Sequence, residues 1–287
     1  MRSGAAPPDS YMAWIAHTNP KGRFMTKEAD FHWIHASRAA ALVRPGDGGT
    51  IVIVPGAMSD ASGWLRFAIA LDTDQPIAIV NRRGRAPSGD MPLNSTVVDE
   101  VDDLREILSR LQSPFTLVGW SYGGLLALEA AVGRADIRSI ILYEPVCRPF
   151  APGAAASIRD AVARGDLDLA VTLVIEDVSG STADQLAALR ASPAWDYLKP
   201  LAIPAGTELA AMNGHAPDFA GYAAIEAPVT IIVGGANKHR EPYGVAADRF
   251  IDAMPDAATA ILGGQGHLAH IEAPELLADA ARSAMPG

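Results

Sequence analysis

Residues 115–125 read Phe-Thr-Leu-Val-Gly-Trp-Ser-Tyr-Gly-Gly-Leu, and the order of residue types here decides the fold. The run 115–118 is apolar or β-branched and fits a buried strand, while Leu125 opens an apolar stretch of helical character. Between them stands Gly119-Trp120-Ser121-Tyr122-Gly123, followed by Gly124. In a G-x-S-x-G turn joining strand to helix, the glycines let the two backbones approach and the turn pushes the serine hydroxyl into the open. Ser121 is therefore the candidate nucleophile. The short motif is common by chance, so it is the strand-turn-helix setting that separates it from a solvated serine in a glycine turn.

Working outward, further short runs of the same kind occupy 50–54, 77–80, 139–143, 229–233 and 259–262. Each is nearly uniformly apolar, as expected of strands buried on both faces of a parallel sheet. Val97, Val101, Leu104, Leu108 and Leu111 step by four and three, a helix stripe facing a core. Strand alternating with helix predicts an α/β fold, a mostly parallel sheet flanked by helices. One interval breaks the alternation. Residues 151–227 contain helix-like stretches at 157–177, 182–191 and 207–212, punctuated by Pro193, Pro200, Pro204 and Pro217, but no strand-like run. A helical insertion following a strand end sits where a lid over a binding site would lie. The expected organisation is a catalytic body at 23–150 and 228–287 with a helical cap at 151–227. Residues 1–22 hold Pro7, Pro8 and only a short apolar patch at 11–16, and read as a loose arm too short for a signal-peptide core or a membrane span.

A serine hydroxyl needs a base to take its proton. His267 ends the run Gly263-Gly264-Gln265-Gly266 just past the last strand-like segment, where a glycine loop carries the imidazole over the sheet edge. His270 is the weaker candidate, because it falls in a helix-like continuation.

Gly119 to Gly124, the Gly-Gln-Gly-His267 turn followed by Pro274-Glu275, and Val54-Pro55-Gly56 with Trp64 beyond it resemble the α/β-hydrolase superfamily. Residues 81–88, Asn-Arg-Arg-Gly-Arg-Ala-Pro-Ser, are similar to its Asp-x-Arg-Gly-x-Gly-x-Ser loop, with Asn81 and Ala86 in place of Asp and Gly. The resemblance implies that fold and a Ser-His-acid triad, and is weak for substrate. In most relatives the acid follows the strand after the cap, which here corresponds to Asn237. The other known placement follows the strand after the nucleophile helix and corresponds to Glu144, in Leu142-Tyr143-Glu144-Pro145, a run similar to a bacterial branch lacking the usual acid. A carboxylate at the C-terminal end of a parallel strand faces the crevice where ligands bind. Glu144 is thus the expected acid, with Glu241 and Asp248 in reserve. The family pattern also supplies an oxyanion hole from two backbone amides, which map to Tyr122 and Ala57, with Met58 as neighbour to the second. Pro55 replaces the usual histidine of that loop.

Composition bounds the remainder. The 287 residues carry 23 Lys plus Arg and 33 Asp plus Glu, a net charge of −10, which argues against nucleic acid and anionic membranes as partners. Ten acids against four bases place −6 of this in 151–227, a field expected to repel anionic substrates. The single Cys147 excludes an intramolecular disulfide and a thiolate metal site, and makes a reducing cytoplasm the expected location. It reads as a small buried hydrophobe. His32 and His35 would share a helix face but have no matched third ligand, so no metal is expected, nor any cofactor. Arg82, Arg83 and Arg85 read as loop braces, with the grip of an anionic substrate as the alternative. Trp195 and Tyr197 lend the cap an apolar face together with Leu198, Leu201 and Met212, and with Trp120 and Met58 they are the candidate substrate-binding residues.

The sequence thus predicts a serine hydrolase cleaving an ester-type bond of a small, mostly apolar neutral molecule through an acyl-enzyme. A lactone, thioester or carbon-carbon bond hydrolase with the same triad is the alternative. So is a non-catalytic ligand-binding member, for which Asn237 and Pro55 are the motivating departures. A homo-oligomer is compatible with the sequence, which does not specify one.

Overall fold

Side chains along the central strands alternate between two cores, as the period of an extended chain requires. In the computed structural model, which describes residues 30–286, Val52, Val54, Leu117, Ile140 and Leu142 face one core. Their neighbours Ile51, Ile53, Val118, Ile141 and Tyr143 face the other. The strands are β1 His32–His35, β2 Ala40–Arg44, β3 Thr50–Val54, β4 Ile77–Asn81, β5 Phe115–Trp120, β6 Ile137–Tyr143, β7 Val229–Gly234 and β8 Ala258–Leu262. They form one eight-stranded sheet in the order β1-β2-β4-β3-β5-β6-β7-β8. Pairing is antiparallel where β2 meets β1 and β4, and parallel from β4 to β8.

The expected strands all form, and β1 and β2 are added at one edge. The expectation that His32 and His35 share a helix face is corrected. They lie in the edge strand β1, where a spacing of three sends side chains to opposite faces, and both are exposed.

The helices are α1 Leu65–Ala70, α2 Val97–Leu108, α3 Tyr122–Ala131, α4 Ala154–Ala163, α5 Leu167–Leu173, α6 Ala183–Arg190, α7 Ala194–Ala202, α8 Ala205–Gly214, α9 Phe219–Ala223, α10 Tyr243–Ala253, α11 Ala269–Glu272 and α12 Pro274–Ala284. Helices α2, α3 and α10 cover the first core, and α1 and α12 the second. Thr96 starts α2 with a capping box to Asp99, and the predicted stripe is buried through Leu108. None of the helices among the described residues is long and apolar enough to cross a membrane.

Between β6 and β7 the chain is helical, from α4 to α9. The stretch 157–177 is divided at Gly165, whose φ of +73° suits a residue without Cβ, and α5 then runs into a π-helical turn at Val174–Val178. Pro193 and Pro204 sit at the N-caps of α7 and α8, as punctuation should, but Pro200 lies inside α7. This segment has a small core of its own, Ala161, Ala170, Val171, Trp195 and Ala202. Ile158 of α4 and Leu209 and Met212 of α8 join the first body core. Residues 1–22, read as a loose arm, lie outside the described residues.

Candidate active site

Ser121 joins β5 to α3 with φ 54° and ψ −127°, a backbone region costing an ordinary residue about 1–3 kcal/mol. Surrounding contacts hold it there. Its N–H donates to Tyr143 O at 3.0 Å, and its carbonyl accepts from Gly124 N at 2.9 Å. A Cβ on Gly123 would lie 2.1 Å from Val54 O, and one on Gly56 would lie 2.7 Å from Ser121 Cβ. Both glycines are needed for β3, its following loop and the serine turn to meet. Tyr122 is the first residue of α3, so its amide has no intrahelical acceptor. Ala57, in the turn after β3, is half-buried.

At the end of β6, Glu144 is fully buried with φ 43°. It accepts hydrogen bonds from Gly234 N at 2.9 Å and from Asn237 Nδ2 at 3.1 and 3.0 Å to its two oxygens. His267 Nδ1 lies 2.6 Å from Glu144 Oε2. Of the residues the sequence singled out, Glu144 and His267 are thus brought together. Ser121, only 7 % exposed, makes no side-chain hydrogen bond to His267 or to any other described residue. The reserve acids are placed elsewhere: Asp248 pairs with His239 at 3.0 Å, and Glu241 is exposed.

Aromatic groups fix the imidazole. Trp120 Nε1 donates to His267 O at 2.9 Å, and the Tyr143 hydroxyl donates to Gly266 O. Tyr243 stacks on the His267 ring with centroids 3.5 Å apart. Burial lowers the His267 pKa from the ordinary histidine value, and Glu144 opposes the fall through its hydrogen bond and charge. His270 stacks on Trp64 and packs at a tilt against Trp120, with no partner for Nδ1. Burial, helped by His267, lowers its pKa far below the usual range, so it is neutral and points at no proton acceptor.

The arginine loop behaves as the bracing reading expects. Arg82 donates to Pro55 O at 2.9 Å and Gly56 O at 2.8 Å, and Arg85 to Ser59 O at 2.6 Å, so the loop holding Ala57 is fixed by its carbonyls. Charge is balanced inside. Arg82 pairs with Glu100 at 2.5 Å, and Glu208 of α8 lies 2.7 Å from both Arg82 and Arg85. The Glu208 contacts are ionic, with neither oxygen in hydrogen-bond geometry. Burial works against the Arg82 charge, but Glu208 and Glu100 outweigh it and raise its pKa; at Arg85 burial wins and lowers it. Arg83 pairs with Asp103 at 2.6 Å. Fully buried Asn81 organises the loop, accepting from Ala61 N and donating to the carbonyls of Arg85 and Ala86.

The expected substrate-binding aromatics are largely committed to packing. Trp195 lies in the core of the helical segment with its Nε1 donating to Asp168, and the Tyr197 hydroxyl donates to Asp60 at 2.7 Å, joining α7 to the loop after β3. Trp120 is buried beneath His267 and His270. Met58, half-buried with φ 55°, touches both body and helical-segment cores. Cys147 is buried. Among the described residues no group of three or more His, Cys, Asp or Glu could hold a metal ion. Asn237, Glu208 and Tyr243 gain their contacts only in three dimensions: Asn237 stood out as the position of a missing acid, while Glu208 and Tyr243 carry no local sequence signal.

A sheet of this order, with a strained serine between β5 and α3 and a carboxylate-bound histidine after β8, defines a class. Residues 51–280 match the sequence profile of the Alpha/beta hydrolase family, and the chain belongs to that family. Among solved structures it is similar to an alpha/beta hydrolase from Sphaerobacter thermophilus DSM 20745, with 26% identity, a TM-score of 0.75, and 88% of this chain and 99% of that one covered. The enol-lactonase from Burkholderia xenovorans LB400 shares the fold at 17% identity and TM-score 0.70, over 88% of this chain and 98% of its own. So does a thermophilic esterase from Thermogutta terrifontis, at 20% identity and TM-score 0.65, over 88% and 97%. Comparison with curated proteins gives no match.

Proposed function

We propose that the protein is a serine hydrolase that cleaves an ester-type bond of a small, neutral, mostly apolar molecule. The observation that carries this reading is the 2.6 Å contact between His267 Nδ1 and the buried Glu144 carboxylate, beside a serine in a strained strand-to-helix turn. Glu144 fixes the tautomer with the proton on Nδ1, leaving Nε2 to accept from Ser121. Ser121 Oγ attacks the carbonyl carbon as its proton passes to His267. The negative charge gathers on the carbonyl oxygen, held by the amides of Tyr122 and Ala57. His267 then gives its proton to the leaving alkoxide; a water deprotonated by His267 attacks the acyl-enzyme, the bond to Ser121 Oγ breaks to release the acid, and His267 returns the proton to Oγ. The Ser121–His267 hydrogen bond that this step needs is of a kind that often tightens only in the reacting complex.

Neutrality of the substrate is supported by the charges. Arg82, Arg83 and Arg85 are spent on Glu100, Glu208 and Asp103, so none is left to grip an anion. Residues 151–227, read as a cap, carry −6 of the net −10. Of their ten acids Glu208 is neutralised inside, and the other nine are exposed.

The test is hydrolysis of a panel of p-nitrophenyl esters of rising acyl length, with a carboxylated ester, a lactone and a thioester beside it. Turnover of neutral esters that disappears in Ser121→Ala supports the reading. Preference for the carboxylated ester contradicts the neutral-substrate part, and activity retained in Ser121→Ala contradicts the mechanism.

A further inference from the structure

We propose that Tyr243 is a positioning residue for His267, a ring plate that holds the imidazole in line and favours its charged form, backed by the helical segment. The proposal rests on the reading of His267 as the base. The two rings are 9° from parallel with centroids 3.5 Å apart, whereas Trp120 is 4.8 Å away and tilted 32°, and Tyr143 is 6.3 Å away. Face-to-face stacking of two neutral rings is a poor arrangement, because their quadrupoles repel in that geometry. Over an imidazolium the same geometry becomes attractive, since the aromatic face is negative. The stack therefore favours the state that forms once Ser121 has given up its proton, which is where stabilisation accelerates a reaction.

Among the described residues, four elements besides α10 place groups beside the imidazole or its carboxylate. The end of β5 contributes Trp120, the end of β6 contributes Tyr143 and the Glu144 carboxylate, the loop after β7 contributes the neutral Asn237, and α11 contributes the neutral His270 and Glu272, which acts by charge on the Tyr143 hydroxyl. Tyr243 itself is uncharged, burial pushing its hydroxyl up to about 12. The loop after β7 and the first residue of α10 thus serve both partners, Asn237 holding the carboxylate and Tyr243 covering the ring.

Behind Tyr243 stands the helical segment. Ser179, at the end of the π-helical turn, lies beside the tyrosine hydroxyl, and a Cβ on Gly180 would be 3.9 Å from Pro242 Cδ. The 179–180 turn is the point at which this segment bears on the base. Displacement of that turn frees Tyr243 and loosens His267.

The experiment measures the rate of Ser121 labelling by a fluorophosphonate probe from pH 4.5 to 9 in wild type, Tyr243→Phe, Tyr243→Leu, Tyr243→Met and Ser179→Ala, with folding checked by circular dichroism. Phe keeps the ring and is expected within about twofold of wild type with an unchanged apparent pKa. Leu keeps the face dry but removes the π-system, so labelling slows about tenfold and the acid limb moves down by about half a pH unit or more, the imidazolium having lost its support. Met answers the same question if Leu does not fold. Ser179→Ala is expected to slow labelling less than Leu does, without moving the limb. Leu and Met variants that match wild type in both rate and limb overturn the proposal alone. A folded wild type that does not label overturns the serine hydrolase reading beneath it.

Discussion

Asn237 Nδ2 donates to both carboxylate oxygens of Glu144, at 3.1 and 3.0 Å. Asn237, at the position where the sequence pattern points first for an acid, instead clamps the carboxylate at the end of the neighbouring strand. Hydrogen bonds to a charged group are each worth about 1.5–3 kcal/mol, and this one sets the rotamer that faces His267. Asn237→Leu should therefore lower kcat about tenfold with little change in KM. Asn237→Asp should do something different, since two buried carboxylates at this distance repel and one of them takes up a proton. The pair then keeps a single negative charge, so the acid limb of the kcat/KM profile should stay near its wild-type pH while kcat falls. Wild-type kcat in Asn237→Leu contradicts the clamp.

Replacing Glu144 by Gln keeps its shape and removes its charge. The imidazolium formed during attack then has no counter-ion, and Gln presents its own N–H₂ to the donors Gly234 N and Asn237 Nδ2. Hydrolysis should fall by roughly 10³–10⁴, while circular dichroism shows the fold intact. Near-normal turnover would remove Glu144 from the chemistry.

His267 must be neutral to act, and burial sets its pKa below the ordinary histidine value despite Glu144. Activity should rise with pH through that pKa, so the acid limb of kcat/KM should lie below about 6.5, the unperturbed value. A limb at or above 7 contradicts the burial argument.

Stability has its own pH dependence. Buried His270 stays neutral in the folded protein, while the unfolded chain takes up that proton as pH falls below about 6.5. The unfolded state then binds more protons, and stability declines with falling pH by up to about 1.4 kcal/mol per pH unit for each such histidine. His267 acts in the same sense. Urea denaturation from pH 7.5 to 5 should show the decline, and His270→Phe should flatten it. An equally steep decline in that variant contradicts the assignment.

Glu208 is the anion from the helical segment that balances Arg82 and Arg85 beneath the loop holding Ala57. Removing one partner of a buried ion pair typically costs about 3–5 kcal/mol, so Glu208→Ala should lower unfolding free energy by that order. A loss below about 1 kcal/mol in denaturant melts would mean that the pair is not holding the two parts together.

The central strands were legible because burial on both faces leaves little but aliphatic residues in β3 to β7. Strand β1 was not, since His32-Trp33-Ile34-His35 is an exposed edge with mixed polarity, and β2 begins with two alanines that carry no strand preference. Helix α7 was hidden by Pro200, which has no N–H to give the carbonyl four residues back and so reads as a helix breaker. In the site, Ser121 and Glu144 directly follow β5 and β6 and His267 ends the glycine loop after β8, positions readable from local pattern. Glu100 sits on the apolar stripe of α2 and is buried because Arg82 and the Tyr122 hydroxyl meet its two oxygens. The polar tips of Trp195 and Tyr197 are taken by Asp168 and Asp60, 27 and 137 residues away in the chain, so spacing alone made them look available to a substrate.

The central claim is that Ser121 is a nucleophile activated by His267. The most direct measurement is peptide mass spectrometry of the folded protein after reaction with a fluorophosphonate probe. A single adduct on the peptide bearing Ser121, absent in Ser121→Ala and strongly reduced in His267→Ala, is the predicted result. An unlabelled Ser121 in folded wild-type protein, or labelling that persists at full rate without His267, would contradict it.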